Sequence, residues 1–376
     1  MQRIPITPRI DLRAKLEQSG FLFHQEYYTE TWAYSFSALE IERLETATAE
    51  IYRMCCAVVR EVITKDLFAE FFIPPRYAVL IRQSWNQDFC SFYGRLDLAV
   101  SDDCSDVRLL EFNADTPTSL LEASVIQWQW LQEFDSSYDQ FNSIHEKLLE
   151  QITACIPYLD GDKKLWFAAV SESSEDFMTA AYLRDLAEQC GLQTEYIDIT
   201  DIALDGDGRF CGPGTSEIEL ISNIFKLYPY EWMFAEEFGP GLDARTTWIE
   251  PFYKAIMSNK MLLVYLYKLF PDSPYILPAF YEETGGLTSY VKKPVFSREG
   301  ANITIVSRGT SLQETDGEYG EEGFIYQQYQ ELPLFDGVRP VIGSWLIGGK
   351  PAGIGIKETS AYIHDNMSRF CPHFFR

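Results

Sequence analysis

Apolar residues Leu44, Ala47, Ile51, Cys55, Val58 and Val62 recur every three or four positions, which predicts one long amphipathic helix from Ser37 to about Phe68. Pro74 and Pro75 interrupt the chain, and two strands are expected after them, Tyr77–Gln83 and Phe92–Val100. A polar turn at 101–106 leads into a third strand, Val107–Ala114. Thr116-Pro117-Thr118-Ser119 then opens a helix to about Phe134. Proline suits a first helical turn, and Ser119 with Glu122 has capping-box spacing.

The middle of the chain changes period. An apolar run at Lys164–Val170, a helix from Ser173 to Cys190 closed by Gly191, and a strand at Thr194–Ile199 predict a parallel, Rossmann-like subdomain at 161–235. It has no GxGxxG, so no dinucleotide is assigned to it. A helix at about Glu250–Phe270, stopped by Pro271, follows. Short strands come next at Tyr290–Val295, Asn302–Ser307, Phe324–Gln330, Val341–Ile347 and Gly353–Lys357. This last third reads as an antiparallel α+β segment, so the fold class is α+β combined with α/β. There is no internal repeat and no long linker.

At 46% hydrophobic and 23% charged, the 376 residues can bury a substantial core and are not disordered. Lys and Arg number 31 against 56 Asp and Glu, a net charge of −25. Such a field disfavours nucleic acid and anionic membranes; it can draw in a cationic small molecule, although solubility explains it as well. No stretch reaches the ~18 apolar residues of a membrane span, and the N-terminus lacks a signal-peptide core. A cytoplasmic protein is expected. Eight cysteines are scattered without a CxxC pair, which reads as neither a disulfide framework nor a zinc site. His24, His145, His364 and His373 form no cluster and are expected to be structural or surface residues; Trp128, Trp130 and Trp345 are expected in the core.

The chemistry concentrates in two strands. Alternation along Phe92–Leu98 puts Arg95 and Asp97 on one face, and along Val107–Asp115 it puts Glu111 and Asn113 on one face. A hairpin turning at 101–106 brings all four onto one surface, with Asp97 nearly opposite Glu111. Facing carboxylates repel unless a cation lies between them. Two carboxylates and an amide, without thiolate or imidazole, suit Mg²⁺. A helix opening at Thr116 and Thr118 would favour an anion beside it. The plainer alternative is a solvated hairpin face with its charges in water.

These segments carry a family likeness. YGRLD (93–97) followed by LLEFNADTPTSLLE (109–122) resembles the metal-binding segment of the glutathionylspermidine and trypanothione synthetase family. FKLYPYEWM (225–233) resembles its tryptophan-rich segment, with Lys226 and Glu231 matching. SNKMLL (258–263) and VKKPVFSREGANI (291–303) resemble its two lysine motifs, and IYQQYQELPLFDG (325–337) its adenine-side hinge.

The resemblance implies a permuted ATP-grasp fold. Residues 1–160 would hold N-terminal helices and the metal-binding hairpin, and 161–235 a Rossmann-like pre-ATP-grasp subdomain. Residues 236–376 would form the lysine and hinge region, completed by 77–135. It further implies that Asp97, Glu111 and Asn113 hold Mg²⁺ and that Lys260 and Lys293 contact ATP phosphates under a loop containing Gly300 and Asn302. Gln327, Gln328, Tyr329 and Leu332 would face the adenine. Thr116 and Thr118 would line the acyl site, with Arg95 and Lys357 stabilising charge during reaction. The implied activity is ADP-forming ligation of a carboxylate to an amine through an acyl phosphate, with small-molecule acid and amine substrates. The sequence departs from the family at Lys357, which stands where an arginine is expected and cannot form arginine's bidentate contact. Nor is there room for the amidase domain of bifunctional relatives. A phosphotransferase and a non-catalytic nucleotide-binding protein are the competing readings. Oligomeric state has no signal here.

Overall fold

The long helix predicted from the apolar spacing spans Ala38–Lys65. Ser37 and Glu40 close a reciprocal capping box at its start, satisfying two otherwise unpaired N–H groups. Leu44, Ile51, Cys55, Val58 and Val62 are fully buried along one stripe, each worth about 1.5–3 kcal/mol of transfer free energy where a large aliphatic side chain is concerned. The stripe packs against the helix Met261–Leu269 and the strand Lys350–Thr359. The computed structural model describes residues 1–22, 27–87, 90–213, 218–365 and 367–376. His24 lies outside them.

Three of the five sheets among the described residues carry the mixed α/β fold. A five-stranded antiparallel sheet runs in the order Arg369–Cys371, Lys350–Thr359, Arg339–Ile347, Tyr93–Val100, Val107–Asn113. A second antiparallel sheet runs Ala279–Tyr281, Phe324–Gln328, Tyr290–Pro294, Thr304–Ser307, Thr310–Glu314. The third is parallel throughout: Thr247–Ile249, Asn223–Leu227, Leu165–Ala169, Thr194–Asp198. The helix Ser174–Gln189, capped by Ser173, makes the expected strand–helix–strand crossover.

Several expectations are corrected. Tyr77–Gln83 is not a strand: a turn at Pro75–Tyr77 leads into the α-helix Ala78–Asn86. Its buried residues Tyr77, Leu80, Ile81 and Ser84 follow helical spacing, and Pro75 fits the start of a helix. Ser119 does not cap a helix, having a left-handed φ of 67°. Thr116–Ser119 is instead an irregular strap, and helical geometry starts at Leu120 with a π turn at Glu122–Ile126 before Gln127–Phe134. The helix expected across 250–270 is two, Lys254–Met257 and Met261–Leu269. Asn259 breaks it, its side chain accepting from the Met261 N–H (2.8 Å) and donating to the Phe71 carbonyl (2.7 Å). Cys90 and Cys155 form a disulfide with Cα atoms 5.6 Å apart, a pairing that a 65-residue separation gave no hint of. Trp130 and Trp345 are core residues, but Trp128 is 41% exposed.

Candidate active site

The hairpin registers Asp97 directly opposite Glu111, and Arg95 opposite Asn113. Leu96, Leu98 and Phe112 point the other way into the core, so burial of one face fixes the other as the chemical face. The Arg95 guanidinium donates to both Asp97 carboxylate oxygens (2.7 and 3.1 Å) and to the Thr118 carbonyl (2.7 Å). Asn113 donates its amide N–H to Asp97 at 2.9 Å. Glu111 faces the Lys260 ammonium at 3.3 Å. The repulsion expected between the two carboxylates is thus offset by a cation on each.

Lys293 donates to the Leu110 carbonyl (3.0 Å) and to Gln327 Oε1 (2.8 Å), while Gln327 donates to the Leu109 carbonyl (2.9 Å). These bonds tie the second antiparallel sheet to the back of the hairpin strand. Burial pushes the Lys293 ammonium down to about 8, with Glu111 opposing and Lys260 reinforcing the fall. Burial alone would raise the Glu111 carboxyl, yet Lys260 and Lys293 outweigh it and hold it below its ordinary value.

A cavity of about 360 Å³ lies over this face. Of the residues expected at the site, Arg95, Asp97, Glu111, Asn113, Thr116, Thr118, Lys293, Gly300, Gln328, Tyr329, Leu332 and Lys357 line it. Lys260 reaches it through Glu111. Gln327 is buried behind Lys293, and Asn302 braces the glycine loop by donating to the Tyr319 carbonyl. Gly300 has a φ of 72°, and a Cβ there would lie 2.7 Å from the His364 carbonyl oxygen; only glycine fits. The hinge residues Gln328–Leu332 lie at one end with the apolar Leu110, Val291, Ile305 and Val341, a surface suited to a flat heterocycle.

The opposite end is ionic. Val170 and Leu227, at the carboxyl ends of two adjacent parallel strands, border it together with Glu175 and Asp176 at the start of the crossover helix. Ligands of parallel sheets gather at this edge. Burial and the neighbouring Glu175 raise the Asp176 carboxyl to about 6. Lys357 is held down by burial, with Glu175 acting against the shift and Arg95 adding to it. Its ammonium lies 4.8 Å from the centre of the Tyr27 ring. Behind it, burial lifts Glu122 to about 7.

Four residues had not been assigned to the site. Arg298 donates to Thr116 Oγ1 (2.6 Å) and to Glu231 (2.7 Å), spanning the cavity mouth. It stands within the quoted VKKPVFSREG segment, so the motif held the signal. Glu175 and Asp176 lie in the first turn after the Ser173 cap of the strand–helix–strand unit, to which no ligand had been assigned. His364, expected to be structural or surface, lines the cavity with both ring nitrogens buried; burial and Lys357 push it down to about 4 against the Arg339 backbone, so it is neutral.

The oxygen donors Asp97, Glu111 and Asn113 fit a hard cation. Among the described residues no three His, Cys, Asp or Glu side chains cluster as a metal site. The cations now facing Asp97 and Glu111 already show that this face accepts positive charge. No helix among the described residues is long and apolar enough to cross a membrane.

The model of a family described as "Glutathionylspermidine synthase preATP-grasp" matches residues 3–376. A Haemophilus influenzae protein bearing the provisional name acid–amine ligase is 34% identical over 397 aligned positions, covering 100% of both chains. A trypanothione synthetase of Crithidia fasciculata is 27% identical over 81% of this chain and 50% of its own length. A bifunctional glutathionylspermidine synthetase/amidase of Escherichia coli is 24% identical over 96% of this chain and 61% of its own. The chain therefore spans about half to three-fifths of those two larger relatives. A glutathione synthetase-like effector of Globodera pallida has a similar fold, with a TM-score of 0.58, 11% identity and 98% of each chain covered.

Proposed function

The chain belongs to the glutathionylspermidine synthase family, and we propose that it is an ATP-dependent, ADP-forming ligase that joins a carboxylic acid to an amine. The observation that carries this reading is the meeting, on one cavity, of the Asp97–Glu111–Asn113 oxygen face, two lysines and an acidic far end. The fold is read as a permuted ATP-grasp. Its lysine and hinge strands in 236–376 are completed by the hairpin segment 77–135, beside the Rossmann-like unit around 161–235.

ATP is the phosphoryl-donating substrate, with adenine against Gln328–Leu332 and phosphates toward Lys260, Lys293 and the Gly300 loop. Asp97, Glu111 and Asn113 would hold Mg²⁺, which when bound neutralises phosphate charge. The acid's carboxylate, held by Arg298 and the Thr116–Thr118 strap, attacks the γ-phosphorus. An acyl phosphate forms and ADP leaves. Arg95 and Lys357 stabilise the negative charge that gathers on the acyl oxygen. The amine, drawn as its cation to Glu175 and Asp176, gives up one proton to the Asp176 carboxylate and attacks the acyl carbon, and a second N–H proton leaves with the phosphate. Phosphate leaves and an amide remains. Holding the reactants together is worth about 7–11 kcal/mol in favourable cases, and no side-chain nucleophile is needed.

The test is a screen of acids against amines for ADP release, with mass spectrometry of the product. Glutathione and spermidine, the components named in the relatives' product, are the first probes. An amide formed with stoichiometric ADP supports the reading. A stable phosphorylated acid would make the protein a phosphotransferase, and tight MgATP binding without turnover on any pair would make it a nucleotide-binding protein.

A further inference from the structure

Lys226 and Asp115 form an ion pair with 0% and 1% of their side chains exposed, yet neither lines the cavity. Lys226 sits on the parallel strand Asn223–Leu227, paired with Ala168 of the neighbouring strand. Asp115, after Ala114, joins the hairpin strand Val107–Asn113 to the Thr116–Ser119 strap. Its second carboxylate oxygen accepts the Tyr230 N–H at 3.0 Å, and the Lys226 ammonium lies 3.7 Å from the centre of the Tyr230 ring. Burial raises Asp115 and lowers Lys226, each partner acting against the other's shift. A desolvated pair of this kind seldom adds stability over an apolar pair of similar volume, so stability alone does not account for it.

What the pair does is visible in its connections. Downstream, the strap is held at Thr116 by Arg298, at the Thr118 carbonyl by Arg95, and at Ser119 by a 2.7 Å hydrogen bond to the Tyr27 hydroxyl. Ser119 keeps a left-handed backbone within it. Thr116, Thr118 and Ser119 line the cavity, as do Arg95 and Arg298 that hold the first two. The Asp115–Lys226 pair is the fixed end, joining the strap to a central strand of the parallel sheet. Tyr230 links it onward: its neighbour Glu231 receives Arg298, so one helix start orients both Asp115 and the arginine above the strap.

We propose that Lys226 and Asp115 are positioning residues for the reaction, setting where the strap presents Thr116 and Thr118 to the acid while leaving the nucleotide end untouched. This rests on the ligase reading above. The test compares wild type, the apolar double variant Lys226→Met/Asp115→Leu and the conservative Lys226→Arg. Thermal midpoint, MgATP affinity by calorimetry, steady-state kinetics and amide exchange of residues 114–121 are measured on each. The double variant is expected to stay folded and to bind MgATP within threefold of wild type. Its turnover should fall at least tenfold, and exchange should quicken at 114–121 but not at 107–113 or 223–227. Lys226→Arg should recover part of the turnover. Unchanged turnover, or a loss of MgATP affinity parallel to the loss of turnover, would overturn the proposal. If no acid–amine pair is turned over by wild type, the ligase reading fails separately; unchanged exchange at 114–121 then still refutes the anchoring role, and local quickening supports it.

Discussion

Glu111 and Lys260 face one another at 3.3 Å, one from the hairpin and the other from the break between two helices, and each answers the other's charge. In the ligase reading Lys260 is the carboxylate's partner until the metal and phosphates arrive. Lys260→Met should lower kcat/KM for ATP about 100-fold, or ~2.7 kcal/mol. Adding Glu111→Gln should cost less than the sum of the single effects, because the groups act on each other. Additivity within ~0.5 kcal/mol would mean they are independent.

Lys293 predicts an alkaline limit. Its ammonium titrates at about 8 in the folded protein against 10.5 for a free lysine. Between those values the unfolded chain binds the proton and the folded chain does not, so this group's contribution to stability grows as pH rises through the window. Its attraction for phosphate is lost over the same window. MgATP affinity should therefore fall above pH 8 while the stability difference from Lys293→Met narrows. Calorimetry on Lys293→Arg, which keeps its charge, should show no such fall.

At the other end, Asp176 predicts an acid limit. Its carboxyl titrates at about 6, raised from 3.8 by burial and Glu175. Stability from this group is full below 3.8 and declines as pH climbs through 6, so Asp176→Asn should melt higher than wild type at pH 7. The amine needs the ionised form. The KM for amine should fall as pH rises through 6 in wild type and stay flat and high in the variant.

Gly343 lies opposite Asp97 in the sheet, and a Cβ on it would come within 2.8 Å of Arg95 Cδ. Gly343→Ala should leave the fold intact and push the guanidinium off its contacts. At least a tenfold fall in turnover is expected, about 1.4 kcal/mol, with MgATP affinity nearly unchanged. Retained turnover would show that the position of Arg95 is not critical.

The hairpin was legible because its period of two is local. Leu96, Leu98 and Phe112 had to face the core, which put Asp97 and Glu111 on the other face; the register shift between Asp97 and Leu98 that sets the two directly opposite left no sign in the sequence. The strap was not legible. Pro117 and Ser119 look like a helix start, and the contacts that hold the strap out of a helix come from Tyr27, Arg298 and Lys226, all distant in sequence. Nor could the pairing of Arg339–Ile347 with Tyr93–Val100 be read, since strands some 240 residues apart leave no register signal. Tyr77–Gln83 misled because a short apolar run fits either period until its buried positions are known. Glu175 needed the parallel sheet to be placed before its nearness to Lys357 could be seen.

The central claim is activation of a carboxylate as an acyl phosphate at the hairpin. It is tested by carrying out the reaction with an acid whose carboxylate oxygens are ¹⁸O-labelled, using the pair found in the screen. Mass spectrometry of the released phosphate should show one labelled oxygen per turnover, with ADP as the other product. Unlabelled phosphate, or label appearing in AMP, would contradict the account.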